Sequence, residues 1–175
     1  SDLIEKLTRT YRSYGFVPID TPVLEYTEIL LRKSNGETEK QGFRFEDNGG
    51  RDVAMRFDLT VPFARFTAEH KDELYFPFKR YQIQKVWRGE RPQDGRFREF
   101  VQADVDVVGA DTLAFHHEIE LPLVMVDALS KLPIPRVIVR ASNRKVAQGF
   151  YEAIGIEDVA ETLRIVDKLD KVGPE

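Results

Sequence analysis

The chain has 175 residues, 42% of them hydrophobic, and its 26 Lys and Arg stand against 30 Asp and Glu for a formal charge of −4. That length suits one ordinary domain, which buries roughly 70% of the surface its unfolded form exposes. The lack of cysteine excludes disulfide scaffolds and thiolate metal sites, and the acidic balance excludes a surface that binds nucleic acid all over.

No apolar run nears the roughly 20 residues that span a bilayer, and the N-terminus lacks the layout of a signal peptide. A cytoplasmic chain with no membrane partner is expected, and any polyanion must meet a local basic patch. No internal repeat or compositionally biased segment interrupts the sequence.

In chain order, Leu3, Ile4, Leu7, Tyr11 and Tyr14 share one helical face, and Gly15 follows where helices commonly stop. The stretch "FVPIDTPVLE" is extended, since Pro18 and Pro22 disfavour helix in the residues before them. "FRFEDNGGRDVAMRF" predicts a hairpin about Asn48-Gly49-Gly50. "LTVPFARFTAEH" predicts a short helix with Pro62 in its first turn. Two long strands are expected over 76–88 and 96–108. A helix capped by Asp111 should run through about Leu132, kinked at Pro122. "RVIVRAS" predicts a buried strand, Asn143 caps a helix to Ile154 that ends at Gly155, and the tail from Glu157 is amphipathic and helical. Mixed helices and strands, with the long pair antiparallel, predict an α+β fold: an antiparallel sheet flanked by helices.

Side chains alternate faces along a strand. On the later strand Phe97, Val101, Ala103, Val105 and Val107 are odd and mostly apolar. Arg96, Arg98, Phe100, Gln102, Asp104 and Asp106 are even and mostly polar. On the earlier strand Tyr81, Ile83 and Trp87 form the apolar set, with Lys85 the exception, opposite Arg80, Gln82, Gln84 and Arg88. The even faces join into one polar floor, arginines near the connecting loop and aspartates farther along. Phe100 and Asp106 should lie roughly 20 Å apart at about 3.3 Å per residue. Such a span suits an extended ligand with an anionic end, a flat middle and a cationic end. A sheet with one solvated face shows the same alternation. The proline, glycines and arginines of "KVWRGERPQDGRFREF" instead mark a shaped loop.

"WRGERPQDGRFREF" resembles motif 2 of the class II aminoacyl-tRNA synthetases, and "YGFVPIDTPVLE" resembles motif 1, including Pro22. "MRFDLTVPFARF" followed by "FVQADVDVVG" is similar to the histidyl-tRNA synthetase family, in the branch with Asp-Leu-Thr. "SNRKVAQGFYEAIGI" and "VDKLDKVG" resemble the segment leading into that family's inserted domain. The resemblance implies a partial class II catalytic core over residues 1–155 and the start of an inserted helical region over 156–175.

The same resemblance implies that Arg88 is the catalytic contact to the α-phosphate of ATP and to the substrate carboxylate. Glu90 would meet the adenine amino group, Arg96 the terminal phosphates and Phe100 the adenine ring. Asp58 and Thr60 would hold the ammonium of histidine, with Gln102 nearby and Asp106 facing the imidazole. Most of these residues are even-numbered members of the polar floor. Asp58 and Thr60 also suit helix capping, and Glu90 with Arg91 suits a solvated pair. His116 and His117, about 100° apart on a helix, do not suit joint metal ligation; with His70 they are expected to be structural or surface residues, and no metal site is expected in the protein.

The implied parent activity is ATP-dependent activation of histidine and its ligation to tRNA(His) by a homodimer, with Mg²⁺ carried by the ATP phosphates. A histidine-binding regulatory paralogue of ATP phosphoribosyltransferase is the alternative. The family's second histidine motif, its motif 3 and its anticodon-binding domain do not occur in the 175 residues. An incomplete catalytic domain, inactive alone, is therefore expected.

Overall fold

Helix α1 (Asp2–Ser13) has Asp2 and Glu5 in its first turn and Arg12 in its last, the arrangement that complements the helix dipole. It stops as expected at Gly15, whose φ is +81°. The Gly15 N–H donates to Arg12 O at 3.0 Å and the Phe16 N–H to Tyr11 O at 3.1 Å, which satisfies two carbonyls the helix leaves open. The turn delivers Phe16, only 2% exposed, into the core.

This computed structural model describes residues 1–31, 42–89 and 94–166. Their contacts divide the chain into Ser1–Val137 and Ile138–Glu175. In the first unit α1 is followed by β1 (Val17–Pro18), β2 (Leu24–Tyr26), α2 (Thr27–Leu31), β3 (Arg44–Glu46), β4 (Asp52–Met55), α3 (Thr60–Glu69), β5 (Phe78–Trp87), β6 (Glu99–Val108) and α4 (His116–Ser130). The second contains α5 (Arg144–Ala153) and α6 (Val159–Val166).

The long strands β5 and β6 are antiparallel from Phe78↔Val108 to Trp87↔Glu99, so even residues face even residues across the ladder. Beside β5 lies β1, paired in parallel through Val17↔Arg80 and Pro18↔Tyr81. A second sheet, ordered β2-β4-β3, holds the expected hairpin with Glu46↔Asp52 next to its turn. Asp47 closes that turn by accepting from the Gly49 and Arg51 N–H groups at 2.9 and 3.0 Å.

The odd face of β5 and β6 carries Tyr81, Ile83, Val105 and Val107 into a core with Tyr11 and Phe16 and with Val124 and Ala128 of α4. Burying each large apolar side chain contributes about 1.5–3 kcal/mol. Lys79 ties the same layer together, donating to Tyr14 O and Glu120 at 2.6 Å each. Lys85, the odd-face exception, lies where that face opens to water and pairs with Glu99 at 2.6 Å.

The two sheets are stapled by Arg56, 2% exposed. Its Nε donates to Lys85 O of β5 at 2.9 Å, and its Nη1 donates to Thr21 O at 2.5 Å and to Pro22 O at 3.3 Å. Its backbone continues the link, since the Trp87 N–H donates to Arg56 O and the Arg56 N–H to Val23 O, each at 3.0 Å.

Two expectations need correction. Asp111 does not cap α4, which starts five residues later behind Phe115 with no side-chain cap. Instead the chain turns tightly at Gly109, where a Cβ would stand 2.2 Å from Thr112 O. Residues 136–142 form no strand. An apolar strand needs a ladder partner and covering layers, yet no described strand pairs with this segment and Ile138 is 76% exposed. On the polar floor the solvated-face alternative does not hold throughout, since Arg80 and Gln82 are completely buried.

In the second unit Asn143 caps α5 as expected, accepting from the Lys145 and Val146 N–H groups at 2.9 and 3.2 Å, and Gly155 follows the helix. The expected boundary at 155/156 falls inside this unit, between α5 and α6. Helix α6 realises the described part of the expected helical tail.

Candidate active site

The even face of β5 and β6 is a graded surface. At its open end Arg88, Gly95, Arg96, Phe97 and Phe100 line a groove of about 340 Å³. Arg88 follows β5 and is held from two sides. Its Nε donates to Phe57 O at 3.0 Å, its Nη2 donates to Gln102 Oε1 at 3.1 Å, and its guanidinium carbon lies 5.0 Å from the centroid of the Phe100 ring. A cation fixed over an aromatic face in this way is preorganised to meet an anion. The backbone supports the position, with the Arg88 N–H donating to Arg98 O at 2.8 Å.

Farther along, the register sets Gln84 opposite Gln102, Gln82 opposite Asp104 and Arg80 opposite Asp106. Gln102 is a relay between the two ends: its oxygen accepts from Arg88, while its Nε2 donates to the Asp104 carboxylate at 3.1 and 3.0 Å. Gln82 donates to Thr21 Oγ1 at 2.8 Å and to Gln84 Oε1 at 2.5 Å, anchoring the floor to the chain between β1 and β2.

Asp58 enters from the loop ahead of α3. Its Oδ1 accepts from the Thr60 N–H at 3.1 Å and the Val61 N–H at 3.5 Å, so the capping role open to it in the sequence is real. The chain reaches the floor here because the backbone just before Asp58 is held at two successive residues, by hydrogen bonds of the Arg56 main chain to Val23 and Trp87 and by Arg88 at Phe57 O. Burial pushes the Asp58 carboxyl above the ordinary range and the Asp104 charge adds to the rise, against the N–H donors and Arg88. Thr60 opens α3 and is exposed.

Asp106 forms an ion pair with Arg80 at 2.6 Å. Burial raises the Asp106 carboxyl, Arg80 pulls it back and Asp104 raises it again. Three carboxylates, Asp58, Asp104 and Asp106, thus interact with two guanidiniums, Arg80 and Arg88. Asp104 forms no ion pair among the described residues. The balance favours a ligand carrying an ammonium at this end and an anion at the Arg88 end.

The structure brings Arg88, Arg96, Phe100 and Gln102 to one face, with Asp106 along the same strand and Asp58 beside them in charge contact with Arg88. Glu90 lies outside the described residues. Arg80 and Asp104 carried no expected role, although their even numbers had already placed them on the floor. Arg56 was missed because its partners lie 29 to 35 residues away. His117 is buried with Nδ1 3.3 Å from Glu120, His116 is exposed, and His70 lies 3.3 Å from Glu73 with its ring tilted against that of Phe66 at 4.6 Å. Among the described residues no three His, Asp or Glu side chains gather as metal ligands.

Residues 1–171 match the family described as histidyl-tRNA synthetase. A histidine–tRNA ligase of Treponema denticola is 60% identical over 99% of this chain, which spans 38% of that relative's length. The crystal structure of histidyl-tRNA synthetase from Nostoc sp. PCC 7120 superposes with a TM-score of 0.82 at 35% identity, over 97% of this chain and 39% of that one. A Bacillus halodurans C structure described as an ATP phosphoribosyltransferase regulatory subunit/histidyl-tRNA synthetase gives a TM-score of 0.64 at 27% identity, over 74% of this chain and 32% of that one. The α+β fold is part of a class II aminoacyl-tRNA synthetase catalytic domain. On the match across nearly its whole length, the chain belongs to the histidyl-tRNA synthetase family.

Proposed function

We propose that the protein to which this chain belongs activates histidine with ATP and joins it to tRNA(His). The carrying observation is Arg88, tethered to Phe57 O and Gln102 above the Phe100 ring in the groove that Arg96 also lines. In this reading the adenine stacks on Phe100, Arg96 takes the terminal phosphates and Arg88 bridges the α-phosphate and the histidine carboxylate. Asp58, Thr60 and Gln102 receive the ammonium and Asp106 the imidazole. Glu90 is assigned the adenine amino group.

The reaction needs no protein nucleophile. The histidine carboxylate attacks the α-phosphorus, the bond to the bridging oxygen breaks and pyrophosphate leaves. The chain brings two anions into line and neutralises charge, and alignment of this kind contributes about 7–11 kcal/mol in favourable cases. Mg²⁺ is taken to arrive on the ATP phosphates and to supply further charge there. The parent is proposed to work as a cytoplasmic homodimer; no described helix is long and apolar enough to cross a membrane. A regulatory paralogue needs no ATP groove, so the Arg88, Arg96 and Phe100 set favours the ligase.

In the full-length protein, Arg88→Ala should lower histidine-dependent ATP–pyrophosphate exchange by about a hundredfold or more, as loss of a preorganised donor does. Exchange at the unsubstituted rate overturns the reading.

A further inference from the structure

Arg80 is completely buried in the middle of the long hairpin, yet it lies outside the set of groups assigned to substrate. Its guanidinium carbon is 4.1 Å from the Phe63 ring centroid. Nη1 donates to Gln82 Oε1 and Nη2 to Leu59 O, both at 3.4 Å, while Nη2 also meets Asp106 Oδ2 at 2.6 Å. The Nε is buried with no hydrogen-bond partner. Stability alone does not account for this arrangement, because a well-packed apolar residue commonly replaces a buried ion pair at no loss. What the arrangement accomplishes is local: a strand, the loop that carries Asp58 and the ring of Phe63 fix one cation against one carboxylate.

Asp106 is held at one oxygen only. Oδ1 makes no hydrogen bond among the described residues, and 42% of the side chain is exposed. A carboxylate pinned through one oxygen and open at the other is an acceptor aimed by its partner.

We propose that Arg80 is a positioning residue for recognition of the substrate side chain: it keeps Asp106 ionised and in one orientation, so that Oδ1 accepts an N–H from a neutral imidazole. The inference rests on the histidine reading of the site. Groups facing Asp106 from the packed elements are Arg80 on β5, which lowers its carboxyl pKa, and Asp104 on β6, which raises it with burial. Without Arg80 the carboxyl titrates higher, so histidine binding is lost at a higher pH as the solution is acidified.

The test uses the full-length protein, with histidine binding followed by calorimetry across pH and the KM values for histidine and ATP measured by pyrophosphate exchange. Arg80→Met should raise the histidine KM by about tenfold or more, as loss of control over a charged hydrogen bond does. The ATP KM should stay unchanged, and the acid limb of histidine binding should move to higher pH. Arg80→Lys keeps the charge but not the fork, so its acid limb should stay in place while the histidine KM rises. An unchanged histidine KM in either variant, or equal rises for histidine and ATP, overturns the proposal. If Arg80→Met does not fold, the Arg80→Lys result decides. Histidine bound by the unsubstituted protein without any exchange would sink the ligase reading and leave the Arg80 assignment standing.

Discussion

Asp58 and Asp106 keep their carboxyls where burial opposes the charge, and each is raised above the ordinary aspartate range. The folded chain therefore binds protons that the unfolded chain releases. The contribution of both groups to stability is complete below the ordinary aspartate pKa and is lost as pH rises through the raised folded values. Histidine binding needs both ionised and should strengthen across the same window. Asp58→Asn retains an oxygen that accepts from the Thr60 and Val61 N–H groups, so it should leave thermal stability intact or raise it while abolishing histidine binding. A melting curve and a histidine titration on the same variant check this; a large loss of Tm would show that the charge itself holds the α3 start.

At the scale of elements, the caps and the sheet staple differ in what they resist. Gly15→Ala meets no neighbour within 4 Å and strains only the φ of +81°, so it should cost about 1 kcal/mol. Gly109→Ala drives a Cβ to 2.2 Å from a backbone oxygen and should cost more, about 1–3 kcal/mol. Urea denaturation of the two variants ranks them, and the reverse order would refute the reading of the turn at Gly109. Arg56→Met should be costlier than either, because the carbonyls of Thr21, Pro22 and Lys85 lose their shared donor at about 1–3 kcal/mol for each left unpaired in the interior. An Arg56→Met chain as stable as Gly15→Ala would show that water replaces the guanidinium.

At the scale of the molecule, residues 133–143 carry no helix or strand and are exposed, and the division between the two units falls within them. Limited trypsin treatment of the 175-residue chain should therefore cut after Arg136 before it cuts within α1, α4 or the β5–β6 pair. Earlier cleavage inside those elements would contradict the described packing. The continuous apolar run Val137-Ile138-Val139 made this segment read as a buried strand, but a strand exists only when another offers it a ladder, and that offer is invisible in "RVIVRAS" itself. The same limit explains Asp111: its residue type suits a cap, but the close approach of Gly109 to Thr112 fixes where α4 begins.

The amino-acid sequence by itself determined the features that act over a few residues or along one strand. Helix α1 ends at Gly15, Asn143 caps α5, Asp47 closes the hairpin, and parity separates an apolar from a polar face on β5 and β6. These follow from steric preference and from hydrogen bonds between near neighbours. Only the tertiary structure decided which part of the polar face is buried, how Arg56 joins two sheets, and that Arg88 is tied to Phe57 and Arg80 to Asp106. Those contacts close loops of 35, 31 and 26 residues. Their geometry depends on the whole chain having folded, because no local preference specifies which distant carbonyl or carboxylate a buried guanidinium will meet.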